Sequence, residues 1–469
     1  MTAPRLAAAA LTATVVLVPV AAQAVTAPKF TPGSGGAGEP YFKDMGNGGY
    51  DVGHYGLKLA YNPSARSINA TVKITAVARK NLSRFNLDLR GLTVTAVQVN
   101  GKAAKFTRSG AQELVITPRS GLPAGKKFTV AVAYNGVPKK IEDEPLGQSG
   151  WISTEDGAVA LNQPFGTATW MPVNDTPKDK ATYTFTLVVP KGLTALANGV
   201  FKGKKKTKDG RYSFKWSMTT PMASELSLVA IGKYRVKVVK GKLPSYTAFD
   251  SDLAGSTKLL TAYDKKTRSI LKWESKLFGA YPFASTGGIV DELGVGYSLE
   301  TQSLPVHDWS VGGQLPPDDL LVHELAHQWF GDSVTPARWK DIWLNEGFAT
   351  YAEWLYTASR KGGKSVDKQF ATAYAYGPGA DVWKGVLADP GRDHIFDAPV
   401  YQRGAMTIHM IRKAVGDPVF FRMIKAWVHL NKNKNVTTQD FQNFCEKYSG
   451  KQLDGLFKKW VFTAGKPEL

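Results

Sequence analysis

The chain reads as an α+β multidomain protein in which an antiparallel β domain over residues 49–240 precedes a mainly helical domain over 241–469. Three observations predict this. The first half carries short segments that alternate apolar and polar residues, with turn residues every roughly eight to twelve positions. The second half changes to apolar residues at three- and four-residue spacing. Within that half lies His323-Glu324-Leu325-Ala326-His327, whose chemistry needs a helix.

The chain opens with Arg5, an apolar run over Leu6–Val20 and the small-x-small site Ala22-Gln23-Ala24. This is the pattern of a secretory signal peptide over 1–24, cleaved after about Ala24, and it predicts a secreted, extracellular protein. A retained membrane anchor is the alternative, weakened by the shortness of the run and by Pro19. No later segment has the length to span a bilayer. Residues 25–48, rich in Gly and Pro, read as a flexible leader.

From there the spacing predicts strands at His54–Leu59, Ile68–Val77, Phe85–Leu89, Leu92–Val99, Leu114–Ile116 and Phe128–Tyr134, divided by turns such as Asn100-Gly101 and Asn135-Gly136. Further strands are expected at Thr182–Val189, Tyr212–Met218 and Leu226–Ile231. The pattern breaks at Lys-Gly-Lys-Leu-Pro, near 238–250, where the domain boundary is placed. Helices follow over Lys258–Leu277, around the His-Glu-x-x-His motif, over Ile342–Tyr356, 400–415, 418–430 and 438–448, and over Leu453–Phe462.

At 469 residues, 43% hydrophobic and 21% charged, the chain is long enough for two or three domains with real cores, and its composition excludes overall disorder. The single cysteine, Cys445, excludes an intramolecular disulfide and sits among aromatic residues as a buried, inert thiol. The formal net charge of +20 favours anionic surroundings, and Lys202–Lys208 concentrates part of it. No recognition helix, zinc-finger spacing or RNA motif accompanies it, so nucleic acid is not the expected partner. Attraction to an anionic cell envelope is one reading of the charge; a solvated lysine-rich hairpin that keeps the protein soluble is the other.

Positions i and i+4 of a helix lie on one face, so His323 and His327 can turn ring nitrogens to one metal ion. Glu346, separated from the motif by eighteen residues and set in Asn345-Glu346-Gly347, adds a carboxylate from a second helix. Two imidazoles and one carboxylate suit zinc and leave a fourth position for water. Glu324 is then free to act as a base on that water, and the chemistry expected is amide hydrolysis. A bare His-Glu-x-x-His also arises by chance on solvated faces. Here Pro316-Pro317-Asp318-Asp319 reads as a helix start and Gly331-Asp332 as its stop, which places the motif mid-helix. His307, His394, His409 and His429 have no ligand spacing and read as surface or satisfied core residues.

Taken together, these motifs resemble the M1 family of zinc aminopeptidases, the gluzincins that include aminopeptidase N and leukotriene A4 hydrolase. The likeness runs through Asp51-Val52-Gly53-His54-Tyr55, Trp170–Pro177 with Lys180-Ala181-Thr182, His323–Asp332, Trp343–Ala349 and Tyr401-Gln402-Arg403-Gly404-Ala405. It implies an N-terminal β-saddle domain, a thermolysin-like catalytic domain with one Zn2+ per chain, and a short form without the large helical C-terminal domain of the animal enzymes. Tyr401 matches the tyrosine whose phenol steadies the tetrahedral oxyanion, and Glu300 the glutamate that binds the substrate's free amine. Gln163 stands where relatives often carry an acidic residue on the same amine. Tyr297, Leu299 and Thr301 depart from the family's Gly-x-Met-Glu-Asn pattern. Asp332, Asn345 and Thr350 flank the metal ligands as candidates to orient them.

The reading is a secreted zinc aminopeptidase, monomeric, that removes N-terminal residues from peptides with a free amine. Glu324 and Tyr401 are its catalytic groups, Glu300 and Gln163 hold the substrate, and His323, His327 and Glu346 hold the metal. The alternatives are a zinc endopeptidase on the same scaffold and a basic envelope-binding protein with a vestigial catalytic core; epoxide hydrolysis has no separate support.

Overall fold

The computed structural model describes residues 1–4, 7–14, 29–253 and 255–469. Half of the signal-peptide segment, including Arg5, Leu6 and the site Ala22-Gln23-Ala24, lies outside the described residues.

A β-rich region is followed by a region with eight α-helices among the described residues. The largest sheet has eight strands, in the order 200–206, 212–222, 181–189, 50–62, 67–78, 127–136, 93–99, 102–103. Alternation explains the strand Tyr50–Asn62, which buries Tyr55, Leu57, Leu59 and Tyr61 in phase. The register shifts between Val52 and His54, a bulge at Gly53 that restores the inward face after one extra residue. Expected as antiparallel throughout, this sheet has one parallel pair at its centre, with Thr182 opposite His54 and Val188 opposite Ala60. Alternation reports which face a side chain takes and says nothing of strand direction. Here the chain leaves at Gly136 to build part of a separate five-stranded sheet before it returns beside the first strand.

The expected boundary at 240 is corrected by the sheets. Tyr234–Val239 pairs with Ser245–Asp250 in a second five-stranded sheet, completed by Thr286–Asp291, Val306–Asp308 and Ser298–Leu299. Lys240–Leu243 is thus the turn of a hairpin inside the second domain, and the chain leaves the first domain after Gly232. Period reading misses this sheet because Ser245–Asp250 and Thr286–Asp291 are buried on both faces and do not alternate. Around it pack α1 (Ser256–Phe278), α2 (Asp318–Ala326), α3 (Trp343–Ser359), α4 (Val366–Tyr374), α5 (Gly404–Val415), α6 (Asp417–Leu430), α7 (Thr438–Ser449) and α8 (Asp454–Trp460). Helix α4 has no counterpart in the sequence reading. Among the described residues no helix is long and apolar enough to cross a membrane.

The leader is also corrected over 29–48. Thr31–Pro32 pairs with the strand Leu82–Asp88, and Phe42 is buried against Phe165, at 4.8 Å between ring centroids, and Trp339, at 6.2 Å. Contact with two aromatic rings opposes the chain entropy lost in ordering this glycine-rich segment.

The domains meet through half-buried polar contacts. Lys180, from the β domain, donates to the carbonyls of Asp332 (2.8 Å) and Ser333 (3.0 Å) and to Thr335 Oγ1 (2.8 Å), in the loop that follows the zinc motif. Arg392 of the second domain forms a two-pronged ion pair with Asp143 of the first. That guanidinium holds the Asp143 carboxyl below its usual range. A carboxylate with a lowered folded pKa contributes stability above its ordinary value and loses it as pH falls through the lowered one. Asp143→Asn is therefore expected to reduce stability by about 1 kcal/mol at neutral pH, and by nothing once acid has protonated the wild-type carboxyl; urea unfolding across pH measures both.

Candidate active site

Helix α2 begins at Pro317 with Asp318 and Asp319 in its first turn, where carboxylates favour the helix dipole. Its last turn carries the motif. Expected mid-helix, His323–His327 instead closes α2, with His327 as the capping residue. The chain turns there because Gly331, at φ +125°, directs the next residues back to meet Lys180. Glu346 lies in the first turn of α3. All three ligand candidates are buried.

The rings of His323 and His327 lie 4.7 Å apart, and both Nε2 atoms face one oxygen of Glu346, at 3.2 and 3.4 Å. What fixes each ring is the bond at its other nitrogen. His323 Nδ1 lies 2.6 Å from Glu353 Oε1, and His327 Nδ1 lies 3.1 Å from the carbonyl of Phe330. Those bonds leave both Nε2 atoms to point at a common centre. Glu353 was not singled out from sequence, although it falls two helical turns after Glu346 on the same helix. Asp332, Asn345 and Thr350, which were, make no hydrogen bond to the ligand rings.

Burial opposes charge on all three groups, yet pairing overrides it. The neighbouring carboxylates of Glu346 and Glu353 hold His323 well above the ordinary imidazole range, and Glu346 pushes His327 up to about 9. Glu346 itself is lowered to about 2 by the two rings beside it. Glu324 is hydrogen-bonded to neither ring, although both favour its charged form. Burial raises it to about 8, and its Oε2 has no hydrogen bond.

Tyr401 approaches from the other side, its ring stacked on that of His323 with centroids 5.9 Å apart. Two glycines make the approach possible. A Cβ on Gly347 would stand 2.9 Å from the backbone of Gly404, and one on Gly404 would stand 2.8 Å from Gly347, so α3 and the start of α5 touch main chain to main chain. Tyr401 sits in a π-helical turn, Pro399–Arg403, held by Arg403. Fully buried, Arg403 donates to the carbonyls of Trp460 and Lys459 at the end of α8.

Glu300 follows the edge strand Ser298–Leu299. Its Oε1 accepts from Gln163 Nε2 at 2.7 Å, and its carbonyl accepts from Gln328 Nε2 at 3.2 Å. Gln328 also accepts from the Ser303 amide at 2.8 Å, which ties the strand to the end of α2. The loop before the strand is shaped by Asp308, whose carboxylate accepts from the amides of Leu293, Val295 and Gly296. Tyr297 donates to the Gln148 carbonyl at 2.6 Å, which explains how a bulky residue fits there: its phenol reaches across to the β domain. Sequence reading passed over Gln328 and Asp308, since neither stands at a spacing that marks a function.

Every residue expected in the site lines one cavity of about 400 Å³: His323, Glu324, His327, Glu346, Glu300, Gln163 and Tyr401. Of the remaining histidines, His307 and His409 are core residues while His394 and His429 are exposed. Cys445 is buried, and its thiol is raised by burial.

The donor atoms of His323, His327 and Glu346 lie within 4.8 Å of one another, close enough to share one ion. Once an ion displaces their protons, two imidazole nitrogens and one carboxylate oxygen form a donor set that suits zinc. Fold and site are those of a zinc metallopeptidase.

Comparison with known proteins places it more narrowly. Residues 52–226 match the Peptidase M1 N-terminal domain and residues 315–460 the Peptidase family M1 domain. An M1 zinc metallopeptidase from Deinococcus radiodurans is similar at TM-score 0.84 and 30% identity, over 92% of this chain and 98% of that one. A mutant of that peptidase bound to a Tyr-Ser-Ala substrate matches at TM-score 0.84 and 29% identity, over 92% and 99%. Leukotriene A-4 hydrolase of Xenopus laevis is 24% identical over 89% of this chain and 72% of its own length. A probable aminopeptidase 2 of Sulfurisphaera tokodaii is 26% identical over 81% of this chain, which spans only 50% of that relative. Aminopeptidase N of Lactococcus lactis is 25% identical, with 51% of its length covered. The chain belongs to peptidase family M1.

Because Glu353 orients a ligand without touching the ion, Glu353→Gln is expected to weaken zinc binding about 10- to 100-fold while the fold persists. Competition against a chromophoric chelator reads the affinity, and circular dichroism the fold.

Proposed function

We propose that the chain is an exported zinc aminopeptidase that hydrolyses the first peptide bond of peptides with a free N-terminus. One observation carries the reading. Glu300, a buried carboxylate, is held by Gln163 on the wall of the same cavity into which the metal ligands and Glu324 project. A carboxylate there binds a substrate's ammonium and sets the scissile carbonyl one residue away, at the metal. Gln163 offers its own amide oxygen to that ammonium, without charge.

Zinc held by His323, His327 and Glu346 supplies Lewis acidity toward water and the substrate carbonyl. Glu324 has an unpartnered oxygen in the cavity and takes a proton from water, then returns it to the departing amine. The Tyr401 phenol, kept protonated by burial, donates toward the charge that develops on the carbonyl oxygen. The tripeptide held by the Deinococcus peptidase supports a peptide as substrate here. The N-terminal apolar run supports export, and the +20 net charge supports attraction to an anionic envelope.

A panel of aminoacyl chromogenic substrates tests the reading. Free-amine substrates should be cleaved, N-acetylated ones should not, and a zinc chelator should abolish cleavage. Cleavage that survives acetylation would establish an endopeptidase instead. Glu324→Gln should lower kcat by about 10²–10⁴ with zinc content unchanged, and Tyr401→Phe by about 10²–10³.

A further inference from the structure

Two hairpins close in sequence but built into different sheets, one from each domain, adjoin on the surface. The first comprises the strands Val200–Lys206 and Tyr212–Met222, at the edge of the eight-stranded sheet. The second comprises Tyr234–Val239 and Ser245–Asp250, at the edge of the sheet in the catalytic domain. They meet where the Phe201 amide donates to Tyr246 Oη at 3.2 Å and where Trp216 packs edge-on to Tyr246, with centroids 5.0 Å apart.

Each hairpin is basic. The first exposes Lys202, Lys205, Lys206, Lys208 and Lys215, and its one acid through residue 215, Asp209, is already paired with Arg211. On the second, Lys233, Arg235, Lys240 and Lys242 are exposed, and residues 233–246 contain no acid. Lys237 is the exception, paired with the buried Asp264. None of the exposed lysines named here, nor Arg235, forms an ion pair among the described residues. Set among them are exposed aliphatic side chains, Val236 at 37%, Val238 at 49% and Leu243 at 37%.

We propose that this two-domain basic face docks on an anionic phospholipid bilayer. The proposal rests on the envelope attraction in the reading above and names the surface and the ligand. Lysines on edge strands also discourage strand addition between molecules. That purpose needs a charge or two per edge, and it would not leave three aliphatic side chains exposed at the same place. A bilayer interface accounts for both features, since lipid phosphates attract the cations while the aliphatic groups enter the headgroup boundary. A soluble polyanion would use the charge alone.

The test is co-sedimentation of the full chain with phosphatidylcholine vesicles, with and without phosphatidylglycerol. Any contribution of the N-terminal apolar run is common to all variants and shows in the neutral vesicles. The wild type should prefer the anionic vesicles. A variant carrying Lys202→Glu, Lys205→Glu, Lys240→Glu and Lys242→Glu should lose about tenfold or more of its anionic partitioning. A variant of equal net charge, with Lys102→Glu, Lys105→Glu, Lys126→Glu and Lys127→Glu, should lose less than about threefold. Val238→Ser with Leu243→Ser should remove the binding that survives high salt. Peptidase activity and zinc content report that each variant is folded. Equal wild-type binding to both vesicle types would overturn the envelope attraction itself. Equal loss in both lysine variants would overturn this face and leave the attraction standing. Retention on polyphosphate beads but not on vesicles would overturn the bilayer. None of these results bears on the aminopeptidase reading.

Discussion

Two imidazole nitrogens and a carboxylate oxygen on buried side chains are held within 4.8 Å of one another, and most of the catalytic domain serves to keep them there. Grouping polar atoms in this way costs free energy unless each is bonded or shares an ion. The protein meets that cost with a carboxylate behind one ring, a carbonyl behind the other, and a glycine-to-glycine contact that lets α3 and α5 close round them. Glu353 and the two glycines sit on helices and the Phe330 carbonyl in the turn directly after α2, so the ligands are positioned before any metal arrives.

The domain interface extends that control outward. Lys180 reaches from the β domain to the loop after His327, while Gln163 reaches from the same domain to Glu300. The site is therefore built across both domains. The zinc ligands come from the second alone, but the group proposed to receive the substrate amine is held in place by the first. Burial of Phe42 against Phe165 and Trp339 fastens the N-terminal segment across the same seam.

A second consequence of the two-domain arrangement lies on the surface. Edge strands are exposed wherever an open sheet ends, and here the ends of two sheets are brought side by side. The resulting charge density belongs to neither domain alone. In the sequence Lys202–Lys208 reads as a solvated hairpin, and the place of the second hairpin beside it appears only in the folded chain.

Local periodicity was enough to read which residues could share a metal and which face of most strands turns inward, because one helical turn and one strand pleat are set by neighbouring peptide units. His323, His327 and Glu346 follow from spacing in this sense, whereas Tyr401, Glu300 and Gln163 needed the likeness to a family, their own residue types being uninformative. The parallel pairing of 181–189 with 50–62, the second domain's sheet with its buried inner strands, and the partners Glu353, Gln328, Asp308 and Lys180 came only from the folded chain. Strand direction and long-range hydrogen bonds depend on where the chain returns in space, and no local repeat encodes that return.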